Sequence, residues 1–352
     1  MDRPSTTEKP LAPSGSKASR LLQPPWRTVL VGLLVVLLVG LAMVLWQPGL
    51  EVRDGRHDRG RNGIWLAHGW MGADEWFLQN RKTNQFGRYR DPESLRQLVE
   101  RMRRHHITDL FPHLCPADPA GRLPAWDPVR TERFLDATAG FRVIPWIGGP
   151  RGTSARIHRP EWRAAYAADV RILLEQHPRL AGVQVNVEPL TSGDPDFLKF
   201  LEELRRAMPP GRILSVAAYP PPTRWQPSEE VHWDESFFRA VAERSDQMAV
   251  MMYDVGQQSS KAYQHLMASW TAEVLAWSAG KPVLLGLPAY DDAGAGYHDP
   301  KVENLQTGLR GIHRGLSKSP LPDNYQGVVL YSDWEMDEAE WTLFREEFVN
   351  GE

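Results

Sequence analysis

Glu188 is the side chain in this sequence best placed to move a proton. It closes the run LAGVQVNVEP at 180–189, in which Val183, Val185 and Val187 alternate with Gln184, Asn186 and Glu188. Alternation with period two predicts a β-strand that carries the three polar side chains on one face, and Pro189 ends it. A carboxyl at the end of a strand, with an amide two residues earlier on the same face, is an arrangement that can hold and deliver a proton. The same pattern also fits a strand whose exposed end is merely polar.

A strand end becomes a site only when other strand ends meet it. Seven further apolar runs read as strands, at 63–68, 108–113, 141–147, 213–219, 248–253, 283–289 and 327–331, with the Glu188 strand at 182–187. Helical patterns separate them, at 92–106, 128–138, 160–177, 195–208, 234–243, 262–278, 302–316 and 337–348. Asp91, Asp127 and Asp194 each stand before a proline, which predicts an N-cap followed by proline in the first helical turn. Eight strand–helix units have the size and rhythm of a (β/α)8 barrel, spanning residues 62–352. An open doubly wound sheet fits less well, because no GxGxxG turn follows the first strand.

In such a barrel the strand ends converge on one mouth. In chain order they bring His68, Trp70, His113, Trp146, Asn186, Glu188, Tyr219, Tyr253, Asp254, Tyr290, Asp291, Tyr331, Asp333 and Trp334. Aromatic faces suit the CH faces of sugars, and the amides and carboxylates suit their hydroxyls, so the expected ligand is a glycan. Gln184, on the same strand face as Asn186, joins the expected substrate contacts.

The segment before the barrel has a different character. Residues 1–27 are rich in Pro, Ser, Lys and Arg and predict a disordered tail. The uncharged run TVLVGLLVVLLVGLAMVLW at 28–46, with Trp26 and Trp46 at its ends, predicts one membrane-spanning helix. The run is too long for the core of a signal peptide and no small-x-small cleavage site follows it. Residues 47–61 read as a polar linker, with the tail cytoplasmic and the barrel exported. The 41 basic and 44 acidic residues nearly cancel, which argues against nucleic acid as a partner. One cysteine, Cys115, excludes a disulfide framework and any CxxC metal site, and neither HExxH nor GxSxG occurs. No metal or other cofactor is expected.

Three segments resemble glycoside hydrolase family 18, the chitinase and endo-N-acetylglucosaminidase barrels. AGVQVNVE at 181–188 is similar to that family's fourth-strand signature DGxDxDxE, MMYD at 251–254 to its sixth-strand MxYD, and KPVLLGLPAY at 281–290 to its seventh-strand pattern. The resemblance implies a glycosidase in which Glu188 is the general acid/base and the substrate's 2-acetamido carbonyl is the nucleophile, an exception to the two-carboxylate scheme. It makes Tyr253 a hydrogen-bond partner of the acetamido group and Asp254 a contact to the sugar beside it.

The departures are specific: Ala181, Gln184 and Asn186 stand where the signature has aspartates. Asparagine two before the acid glutamate is also the arrangement of the family 85 endo-β-N-acetylglucosaminidases. Where family 18 places a tryptophan under the sugar, this chain has Tyr331, with Trp334 three residues later. The alternative to an enzyme is a glycan-binding barrel that has lost turnover. A two-carboxylate glycosidase would have to use Asp291 or Asp292 as nucleophile.

Overall fold

The computed structural model describes residues 25–224, 230–291, 297–317 and 320–349, which fall into two compact units divided between Gln47 and Pro48. Residues 1–24 and Asp292 lie outside the described residues. In the first unit, helix α1, Pro25–Leu45, is long and apolar enough to cross a membrane.

The second unit is a barrel of parallel strands with helices around it. Its strands are β1 (Asn62–Leu66), β2 (Ile107–Pro112), β3 (Arg142–Val143), β4 (Trp146–Pro150), β5 (Gly182–Glu188), β6 (Ile213–Ala218), β7 (Gln247–Val250), β8 (Val283–Pro288) and β9 (Tyr325–Tyr331). They run in the order β3-β2-β1-β9-β8-β7-β6-β5-β4, all parallel. The expected third strand at 141–147 is in fact two short pieces, because Pro145 between them has no N–H to give. Backbone bonds carry the wall across the break: Ile144 N–H donates to Leu110 O at 2.8 Å, Ala181 N–H to Val143 O at 2.8 Å, and His113 bridges Trp146. The ring of eight strands is thereby closed.

Local signals set the helix starts. In α4 (Pro92–Arg104), α5 (Pro128–Ala137) and α7 (Pro195–Ala207) the preceding aspartate accepts two backbone N–H bonds and proline opens the first turn. The helix Leu305–Gly315 starts later than the expected residue 302, because Asn304 and Thr307 close a capping box there. Short helices α2 (Asp74–Gln79) and α3 (Phe86–Arg90) stand on the mouth between β1 and α4.

Residues 48–61 are not a free linker. Leu50 N–H donates to Arg310 O at 2.9 Å, Val52 is buried, and the His57 ring meets that of His313 with their Nδ1 atoms 2.8 Å apart. The arginines of this stretch hide its few apolar and imidazole anchors, so composition alone misreads it.

The two ends of the barrel differ in chemistry. Near the strand starts, buried Asp109 takes Arg142 at 2.6 Å, Gln247 at 2.7 Å and Gln326 at 3.2 Å. That polar plug leaves the opposite end to the aromatic rings, as expected of a barrel whose working face lies at the strand carboxyl ends.

Candidate active site

Strand β5 delivers Glu188 to the mouth, and two donors hold its carboxylate. Asn186 Nδ2 donates to Oε2 at 3.0 Å and the Tyr219 hydroxyl to Oε1 at 3.3 Å. Burial pushes the Glu188 carboxyl up, these two donors pull it back, and the charge of Asp254 adds a further upward push. The balance is upward, so the acid form persists above the usual carboxylate range. Once Nδ2 faces the carboxylate, Asn186 Oδ1 is a buried acceptor with no hydrogen-bond partner among the described residues.

Tyr331 forms the centre of a ring cluster beside this carboxyl. It stacks on Tyr253 with centroids 5.4 Å apart and meets Trp65, Trp146, Tyr290 and Trp334 edge-on at 5.4 to 6.2 Å. Asp254, next to Tyr253, has φ +60, a left-handed conformation that aspartate tolerates better than most residues. Its Oδ1 accepts the Tyr290 hydroxyl, and its side chain remains 42% exposed. Burial raises its carboxyl, with Tyr290 and His298 opposing.

Of the expected substrate contacts, Trp146, Tyr219, Tyr290, Tyr331 and Trp334 thus gather around Glu188, Tyr253 and Asp254. Three others lie elsewhere. Gln184 is fully buried one layer below the mouth, where Trp65 Nε1 donates to its Oε1 at 2.6 Å and its Nε2 donates to Ser215 Oγ at 3.2 Å. Trp70 sits on the 3-10 turn His68–Met71 and packs against Tyr89 and Phe134 at 5.1 and 6.1 Å. Asp291 is exposed, and its charge acts on Glu340.

Two residues of the mouth, Trp65 and Trp76, escaped sequence reasoning. Trp65 looks like ordinary core in the run NGIWL, yet its ring meets that of Tyr331 edge-on while its indole N–H holds Gln184. Trp76 stacks on His68 at 3.9 Å, and the His68 ring lies 3.4 Å from that of His113. Both imidazoles are held neutral by burial, His68 pulled down to about 3. With Trp334 and Tyr331 these groups line a cleft of about 620 Å³. Asp333, buried under its rim, accepts Ala67 N–H at 2.8 Å and pairs with Arg88 at 3.3 Å, and burial pushes its carboxyl up to about 6.

The architecture is shared with solved glycosidase structures. A spore cortex-lytic enzyme, SleL, of Bacillus cereus superposes with a TM-score of 0.53 at 12% identity, covering 86% of this chain and 76% of that one. A chitinase from Chromobacterium violaceum gives 0.50 at 16% identity over 81% and 98% of the two chains. A fungal endo-β-N-acetylglucosaminidase from glycosyl hydrolase family 18 gives 0.52 at 15% identity over 82% and 96%. The fold is like that of the family 18 barrels. No family sequence model and no curated protein sequence matches the chain. Tyr331 ends the eighth strand of the ring, and its own ring lies among those of Trp65, Trp146, Tyr253 and Tyr290, with Trp334 against its edge.

Proposed function

We propose that this chain is a membrane-anchored glycoside hydrolase that cleaves a glycan containing N-acetylhexosamine, with Glu188 as general acid/base and the substrate's acetamido group as nucleophile. One observation carries the reading: a carboxyl whose acid form is favoured by burial, oriented by Asn186 and Tyr219, stands at the edge of an aromatic floor. Protonated Glu188 gives its proton to the leaving glycosidic oxygen while the acetamido carbonyl oxygen closes on the anomeric carbon. The resulting carboxylate then takes a proton from the water that opens the oxazoline.

Asn186 supports the same chemistry in place of the aspartate of the family signature. Its Nδ2 orients the acid, and its free Oδ1 is an acceptor suited to the acetamido N–H. Tyr253 supplies a hydroxyl for the acetamido oxygen, and Asp254 a partner for a ring hydroxyl. Tyr331 and Trp334 offer stacking faces, and Trp146 and Tyr290 shape the wall. Helix α1 anchors the chain in a membrane, with residues 1–27 cytoplasmic and the barrel exported.

The test is incubation of the full-length protein in detergent with N-acetylhexosamine oligosaccharides, followed by product mass. Cleavage by wild type and not by Glu188→Gln upholds the reading. Binding of the same sugars by both proteins without cleavage replaces it with a glycan-binding barrel, the role that Gln184 and Asn186 would allow if the missing aspartates ended turnover.

A further inference from the structure

We propose that Asp254, His298 and Glu303 form a binding site for a divalent transition-metal ion, zinc in the first instance, at the edge of the mouth. One donor atom from each lies within 4.8 Å of the others. The His298 side chain is fully buried, and its Nε2 is 3.0 Å from the Tyr290 carbonyl oxygen. A carbonyl can only accept, so Nε2 donates to it, and Nδ1 is the ring nitrogen turned to the two carboxylates. Nδ1 has no hydrogen-bond partner among the described residues and faces Asp254 Oδ1 at 3.6 Å and Glu303 Oε2 at 3.9 Å.

Those distances are too long for hydrogen bonds, yet they suit donors that share an ion. Ligand bonds of about 2 Å around a tetrahedral ion set neighbouring donors roughly 3.3 Å apart. Each ligand is also oriented from behind, as metal ligands usually are. Glu303 accepts Val255 N–H at 3.1 and 3.2 Å and Gln257 N–H at 3.1 Å, Asp254 accepts the Tyr290 hydroxyl, and the Tyr290 ring stacks on His298 at 4.0 Å. Charge points the same way. Glu303 is fully buried, and among the described residues no Lys or Arg pairs with either carboxylate and only His298 faces both, so a dication held by the three would offset two negative charges that no strong cation meets. Imidazole with two carboxylates suits zinc or manganese better than calcium. The partial exposure of Asp254 leaves the ion open towards the mouth, where water or a sugar hydroxyl could complete its shell.

The site does not rest on the hydrolase reading, and its test needs no turnover. The full-length protein in detergent, stripped with chelator and dialysed, is titrated with zinc chloride by calorimetry while bound metal is counted by mass spectrometry. One ion per chain is expected, with binding weakened at least about tenfold in both His298→Ala and Glu303→Gln, and preference for zinc or manganese over calcium. Absence of saturable binding, or equal binding by wild type and both variants, overturns the site. If the variants fail to fold, nitrogen NMR of wild-type His298 decides: an Nδ1 resonance that shifts as zinc is added upholds the site, and one indifferent to zinc overturns it.

Discussion

Gly148 lies opposite Asn186 in the β4–β5 ladder, so close that a Cβ at Gly148 would stand 1.7 Å from the Asn186 carbonyl oxygen. With φ +136, this backbone is also one that L side chains rarely adopt. Gly148→Ala is therefore expected to push β4 away from β5, costing several kcal/mol and displacing Asn186 from Glu188. A fall in both the urea midpoint and the cleavage rate checks it.

Glu188→Gln keeps the shape of the acid and removes its proton. Cleavage should drop about 10² to 10⁴-fold while sugar binding persists, measured as kcat against oligosaccharide affinity. Unchanged kcat would remove Glu188 from the mechanism.

The pH profile should move in a defined direction. In the proposed mechanism leaving-group protonation needs Glu188 in its acid form, so kcat should fall as pH rises through its pKa. Asn186 and Tyr219 both favour the carboxylate, while Asp254 opposes it; Tyr253, Tyr331 and Cys115 also feel the charge of Glu188. Asn186→Ala and Tyr219→Phe each delete a donor and should shift that falling limb to higher pH. A shift to lower pH in either variant contradicts the assigned hydrogen bonds.

Gln184 should matter to stability. Gln184→Leu leaves the buried Trp65 indole N–H and Ser215 without their shared partner, at a cost of about 1–3 kcal/mol for each stranded group. Urea unfolding of wild type and variant measures it.

Asp333 links stability to pH. Its carboxyl is raised to about 6 in the fold against an unfolded value near 3.9, so the native state binds the extra proton. Its contribution is fully present below about pH 4 and is lost as pH rises through about 6. Asp333→Asn cannot ionise, so its unfolding free energy should decline less than that of wild type between pH 4 and 7.

How much of this was legible in the sequence depended on how local each cause is. Asp91, Asp127 and Asp194 with their following prolines announced three helix starts, because a cap is written within three residues. The alternation ending at Glu188 placed Asn186 beside it for the same reason. Gln184 shares that alternation, but four residues before the strand end is a layer deeper, roughly 13 Å down the strand. Trp70 was misplaced because a 3-10 turn follows β1, a change of backbone that no periodicity signals. His298 and Glu303 come from a loop and a helix approach, and only folding brings them to Asp254.

The seam between β1 and β9 holds just two paired positions, Gly63 with Val329 and Ile64 with Leu330. Side chains reinforce it: Asn62 accepts Val328 N–H at 3.1 Å, and Asp333 accepts Ala67 N–H. All other neighbouring strands, counting β3 and β4 as one, follow each other in the chain, so this seam alone must join distant residues. During translation Glu188 leaves the ribosome well before Tyr331, the residue at the centre of the ring floor. A nascent chain thus carries the Glu188 carboxyl without the rings that stand beside it, and the cleft exists only once the last strand has closed the ring.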